Sequence, residues 1–362
     1  MVKVYILGEA RGAHRIQNFV KMLLDDRKHY KVYYDSLFYS NRLFRYLKSL
    51  IINPFVILRS DVVYVCTLNV DINIFYELIW AKILRKKVLV DFYVSVFDTV
   101  VLDRKWFKEG GIMAKLAILC DKLFLALSNK CIFLEESEKK HYMDIVGFKG
   151  KLDPVIIPLG TPEKPIVKKG FLSNKRNTLN ICWWGSYQPL HGLENVLQAA
   201  RLLKLENLPI RWFFCGNDAE KEKCYINIAA ENDVSDICMF STEYTFNNGR
   251  LQKFLQENCD IALGAFGTSE KAKVITNKFV EACSMKCIAL TRNSENVREF
   301  FGDSVFMSDT DPESIAKKIH EIYCCDKNLL IEKAEKAYSY YLQTFTVEKM
   351  QRKMKQILEQ LE

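Results

Sequence analysis

Three runs of this chain bring glycines and cations to points where a strand pattern gives way to a helix pattern. Such turns offer backbone amides and positive charge to a phosphate. The richest is Gly264-Ala265-Phe266-Gly267 followed by Lys271-Ala272-Lys273-Val274-Ile275-Thr276-Asn277-Lys278-Phe279-Val280-Glu281-Ala282. Thr276 or Asn277 can cap a helix that carries Lys278 and Glu281 near its start. Loop amides at Phe266 and Gly267, the helix dipole, and Lys271, Lys273 and Lys278 would together neutralise a pyrophosphate. Glu281, one turn further on, would accept hydrogen bonds from ribose hydroxyls. The competing reading leaves the lysines in water and pairs Glu281 with Lys278.

The second run is Trp183-Trp184-Gly185-Ser186-Tyr187-Gln188-Pro189-Leu190-His191-Gly192-Leu193-Glu194. Gly185, Ser186 and Gly192 are small enough to let a diphosphate approach the chain, and His191 can add a donor or cap the helix that follows. The third is Gly8-Glu9-Ala10-Arg11-Gly12-Ala13-His14. Here Gly12 is the candidate contact, although the spacing is not that of a dinucleotide loop and a plain tight turn explains it as well.

These runs need rigid elements to aim them. Short, nearly continuously apolar strands are predicted at Lys3–Gly8, Lys31–Asp35, Asp61–Cys66, Lys87–Phe92, Lys130–Leu134 and Val155–Leu159. A second set follows at Leu179–Trp184, Ile210–Cys215, Ile237–Phe240, Asp260–Ala265, Cys287–Thr291 and Ser304–Met307. Helical patterns alternate with them, among them Arg15–Leu24, Ile72–Leu84, Leu193–Leu203 and Thr276–Ser284. Strands covered on both faces and separated by helices predict an α/β chain with two doubly wound parallel sheets. Facing each other, the sheets would form a cleft at the carboxyl ends of their strands, where such sheets bind ligands. The Pro- and Gly-bearing stretch from Gly160 to Asn177 reads as a linker, giving domains 1–165 and 166–345 and a terminal helix 346–362 that could cross back to the first domain.

Bulk properties narrow the classes. At 362 residues the chain is long enough for two cores, and 49% hydrophobic with 27% charged residues argues against disorder. The 12 cysteines are scattered through apolar patterns, which favours buried thiols in a reducing cytoplasm over disulfides or zinc. No Asp-x-Asp element or His/Cys cluster suggests a metal. No secretory leader or spanning helix is legible. Residues 1–165 hold 26 Lys and Arg against 18 Asp and Glu, while residues 166–362 hold 26 against 26. The whole positive excess therefore sits in the first half. Tyr39–Ile52 mixes cations with Phe, Tyr, Leu and Ile at helical spacing, so it would either lie on an anionic membrane or cover the core. Nucleic acid is disfavoured because no known nucleic-acid module accompanies the basic half.

The runs around Trp184–Ala200 and Gly264–Thr291 resemble those of family 4 glycosyltransferases, which have the GT-B fold of two Rossmann-like domains. His191-Gly192-Leu193 resembles that family's "K-G-hydrophobic" element. Thr276-Asn277-Lys278-Phe279-Val280-Glu281-Ala282 resembles its "P-N-K-x-x-E-A" nucleotide element, and Val155-Ile156-Ile157-Pro158-Leu159-Gly160 its "I-P-x-G" junction. The pattern departs where the family has Glu at Lys273, Arg at Ser186, Lys at His191, Gly at Lys286 and Pro at Ile288.

The resemblance implies a retaining, metal-independent transfer of a sugar from a nucleotide-sugar, UDP-linked rather than GDP-linked. The acceptor would be a hydroxyl of a glycan or lipid-linked molecule in surface polysaccharide assembly. No cofactor is implied, since the nucleotide-sugar is a substrate. By alignment Asp91 would touch the reacting sugar, with Asp98 and Asp103 as further candidates unless they cap the next helix. Asp91, Lys278 and His191 are thus the expected catalytic residues. The expected donor-binding residues are Gly12, Gly185, Ser186, Gly192, Phe266, Gly267, Lys271, Lys273, Thr276, Asn277 and Glu281. A sugar-nucleotide epimerase and a non-catalytic partner subunit share these features and stay open. The expected location is cytoplasmic, peripheral on the inner membrane face.

Overall fold

The structure, a computed structural model, describes residues 1–10, 13–34, 42–68, 72–168, 170–172 and 177–361, without the side chains of residues 42, 45, 72 and 271. The chain divides into two compact units, one formed by Met1–Gly160 with Val347–Glu362 and the other by Thr161–Thr346.

The first unit is built on six strands: β1 (Val2–Leu7), β2 (Tyr30–Tyr34), β3 (Val62–Cys66), β4 (Lys87–Asp91), β5 (Lys130–Phe133) and β6 (Pro154–Ile156). They pair in parallel in the order β2-β1-β3-β4-β5-β6. Both faces of the sheet are covered, which is why its strands are apolar at successive positions. One face carries the helix His14–Asp25 and the terminal helix Val347–Leu361, whose Met350, Met354 and Leu358 pack with Ile16 and Phe19. The other face carries the helices Ile72–Ile83 and Ile112–Leu127, with Leu78 and Phe124 in its core. The segment expected as one amphipathic helix, Tyr39–Ile52, is an α-helix over Arg42–Leu47 and a π-helical turn over Lys48–Ile52, continued by an α-helix over Asn53–Leu58. Its first residues, Tyr39, Ser40 and Asn41, lie outside the described residues.

The second unit repeats the layout with β7 (Leu179–Gly185), β8 (Ile210–Gly216), β9 (Cys238–Ser241), β10 (Ile261–Leu263), β11 (Ile288–Arg292) and β12 (Phe306–Ser308). All are parallel, in the order β12-β11-β10-β7-β8-β9. The chain winds outward from β7 in one direction and from β10 in the other. The crevice at the carboxyl ends of these two neighbours is therefore the place where this topology can admit a ligand. The segment after Gly160 is bonded along this unit: Val167 N–H donates to Met285 O at 3.0 Å and Lys168 N–H to Gln256 O at 2.7 Å.

Candidate active site

β7 ends on Gly185, whose φ of +125° is costly for any residue with a side chain. A Cβ there would stand 3.3 Å from the Lys278 Nζ. The loop beyond it runs through a short 3₁₀ turn, Pro189–His191, to Gly192 (φ +58°), which opens the helix Leu193–Leu205. That loop is locked to the one following β10. Phe266 N–H donates to His191 O and Gly267 N–H to Leu190 O, both at 3.0 Å. A Cβ on Gly192 would collide with the Phe266 carbonyl at 2.5 Å. The two switch-point loops are thus one rigid piece, and glycine is required for their approach.

The helix Asn277–Ser284 begins beside this piece. Its leading amides have no partner within the helix, and the Thr276 side chain does not cap them. Lys278 is buried, with its Nζ 4.0 Å from the centre of the Trp183 ring and no hydrogen-bond partner. Burial drives its pKa well below the ordinary lysine range, with Glu281 opposing. The buried atoms His191 Nδ1, Thr276 Oγ1 and Asn277 Oδ1 also lack partners. Burial, and then the Lys278 charge, push His191 well below the ordinary imidazole value, so it is neutral at pH 7. Its ring meets Trp183 edge-on at 5.5 Å. A buried charge with nothing to bond is costly unless something else supplies the counter-charge. This end of the sheet is therefore built for an anion.

Glu281 lies further along the helix, buried. Its Oε2 accepts from Trp184 Nε1 at 2.8 Å, and Lys164 Nζ stands 4.0 Å from its Oε1. The Lys164 ammonium also sits 4.1 Å above the Phe246 ring. Sequence reading did not assign Trp183, Trp184 or Lys164. The tandem tryptophans at a strand end were the available signal, whereas nothing in the Pro-containing stretch around Lys164 marks it.

Several expected residues lie elsewhere. Lys273 is on a 3₁₀ turn, paired with Glu270 at 2.6 Å in solvent, so it does not join Lys278. Ser186 is half-buried in the β7 loop, where its carbonyl accepts from Gln188 N–H at 2.9 Å. Gly12 and the Lys271 side chain lie outside the described residues. Asp91 is a correction. It is fully buried at the end of β4, with one oxygen held by Arg15 and the other accepting from the Tyr64 hydroxyl at 2.5 Å. No part of it is exposed to a sugar. Burial works against the Arg15 charge, yet Asp91 and then Tyr64 outweigh it, and the guanidinium pKa is raised. Asp98 makes no cap to its helix; its Oδ1 meets His141 Nε2 at 3.3 Å. Asp103 is buried at the end of the same π-helical turn.

Residues 168–341 match the family model described as glycosyl transferases group 1. No curated protein matches the chain. Solved structures do. A sucrose-phosphate synthase from Thermosynechococcus elongatus aligns with a TM-score of 0.72 at 11% identity, over 100% of this chain and 99% of that one. A glycosyltransferase from Rickettsia africae ESF-5 aligns at 0.68 and 13%, over 99% and 98%. A UDP-forming α,α-trehalose-phosphate synthase from Burkholderia xenovorans aligns at 0.66 and 10%, over 100% and 99%. At such identities these likenesses speak for the fold, and the family match speaks for the site-bearing unit. Residues 168–341 thus match the glycosyl transferases group 1 family, and the two parallel six-stranded sheets are those of the GT-B fold.

Proposed function

We propose that the chain transfers a sugar from a UDP-sugar to a hydroxyl of a glycan or lipid-linked acceptor, retaining the anomeric configuration and using no metal. On this reading it works in surface polysaccharide assembly, at the cytoplasmic face of a membrane. The observation that carries the proposal is the buried, unpartnered Lys278 amine at the amino end of the helix Asn277–Ser284, beside Gly185. As the bond from the anomeric carbon to the diphosphate oxygen breaks, negative charge builds on the departing group. Pre-aimed donors for that charge are what such a site contributes. Lys278, the helix amides and the His191 ring are placed to do so without reorganising. Glu281, fixed by the Trp184 indole, presents a carboxylate to ribose hydroxyls one turn along.

The motif resemblance supports retention and metal independence. The UDP preference takes further support from the UDP-forming trehalose-phosphate synthase among the similar structures. Among the described residues, no three His, Cys, Asp or Glu side chains gather as metal ligands would. A thermal-shift panel of UDP- and GDP-sugars tests the donor, because a tight ligand raises the midpoint of unfolding. Turnover of the best donor with a glycan acceptor, in chelator, with the product anomer read by NMR, tests the rest. A GDP-only shift, an inverted product or a turnover lost to chelator would each overturn its part.

A further inference from the structure

One face of the first unit is left apolar and cationic by three helical segments lying side by side. The pieces from Arg42 to Leu58 pack on the helix Ile72–Ile83, with Asn53 Nδ2 donating to Glu77 Oε1 at 2.7 Å. That helix packs on Ile112–Leu127 through the Phe75 and Phe124 rings, 5.0 Å apart. Each segment buries one stripe in the core and exposes another. Ile51, Phe55 and Leu58 are exposed on the first, at 60%, 64% and 53%. Tyr76, Ile79 and Ile83 form an exposed stripe on the second, and Ile112, Leu116 and Leu119 on the third. All three sets have the three- and four-residue spacing of a helix face.

On the three segments themselves the outward charges have one sign. Arg59, Arg85, Lys87 and Lys115 are exposed around them, with Lys82, Lys86 and Lys122 half-buried. The acids on the segments, Glu77 and Asp121, are both turned inward. Glu77 accepts from Tyr5 and Asn53, and Asp121 from Ser95 and two loop amides. Burial, and then repulsion from Lys87, lower the Lys82 pKa. No helix among the described residues is long and apolar enough to cross a membrane. Clusters of exposed apolar side chains on a globular surface mark sites of interaction.

We infer that this three-helix face is a docking surface for an anionic lipid bilayer, with the apolar stripes inserted at headgroup depth and the cations on the lipid phosphates. Apolar side chains flanked by cations, with the carboxylates of the three segments withdrawn, complement that surface in both shape and charge. A protein partner with an acidic rim, or a second copy of this chain, is the competing occupant; a second copy would set like charges against each other. The inference deepens the membrane-located transfer proposed above, but its test is independent of it.

The full chain is sedimented with phosphatidylcholine vesicles, with and without phosphatidylglycerol, across a salt series. Binding is expected only with phosphatidylglycerol and is expected to fade as salt rises. The triple variant Phe55→Glu/Ile79→Glu/Leu116→Glu should bind at least about tenfold more weakly. The variant Arg85→Glu/Lys87→Glu/Lys115→Glu should lose the phosphatidylglycerol requirement along with the binding. UDP titration reports separately on the donor site and should be unchanged in both variants. Wild-type protein that ignores anionic vesicles, variants that bind as well as wild type, or a dimer that the apolar variant dissolves would overturn the inference. Loss of UDP binding in wild type with vesicle binding intact would instead sink the transfer reading and leave this face standing.

Discussion

Each unit holds a large cation buried close to the carboxyl ends of its strands, and the two are treated in opposite ways. In the first, Arg15 is fully enclosed and matched: Asp91 takes one end of the guanidinium and the Ile157 carbonyl accepts from Nη1 at 2.7 Å. In the second, Lys278 is enclosed and unmatched, resting on an indole face. A matched charge pair fixes the fold that contains it. An unmatched one holds unfavourable energy that a ligand of opposite sign can release. The same contrast runs through the surfaces, in reverse. Of the large exposed apolar side chains among the described residues, twenty lie in the first unit and five in the second. The first unit matches its buried cation and leaves its surface incomplete, whereas the second leaves its buried cation unmatched.

Substitutions should separate the two cations most sharply. Asp91→Ala leaves Arg15 charged and buried without its partner, at a cost of about 3–5 kcal/mol in urea unfolding. An unchanged midpoint would show that the pair is not structural. Lys278→Ala should lower turnover by roughly 10²–10³, while its urea midpoint is no lower than that of wild type. A variant that keeps full turnover, or that unfolds early, would erase the distinction. Glu281→Ala should weaken UDP binding about tenfold through loss of hydrogen bonds to a charged acceptor, read by calorimetry. Equal affinity would put the ribose elsewhere.

The smallest effect is on pH dependence. Lys278 has a lowered pKa in the folded chain. Between that value and the ordinary lysine range, the unfolded chain holds a proton that the folded one lacks. Unfolding there takes up a proton, so this residue makes stability rise with pH across the window. Lys278→Met should flatten that rise in urea titrations at stepped pH, and an unaltered slope would mean the ammonium is not suppressed.

Much of this was legible in the residues. All twelve strands among the described residues fall where short apolar runs predict them, because a parallel strand covered on both faces must be apolar at successive positions. The strand-to-helix glycine loops were legible too, since only glycine tolerates the backbone at Gly185 and Gly192. The roles of charged residues were less so. Lys273 and Lys278 sit in one run and look alike, yet one pairs with Glu270 in water and the other is sealed under Trp183. Asp91 aligned with a position that meets substrate, but the sequence held no sign that Arg15, 76 residues away, would claim it.

The sequence alone determined the two-sheet α/β architecture, the glycine turns and the basic first half, because periodicity, backbone tolerance and charge count are local or additive properties. Tertiary structure alone decided which cations are free and which acids are hidden. A buried charge's fate depends on the one group that reaches it through the fold, and chain position does not encode that distance.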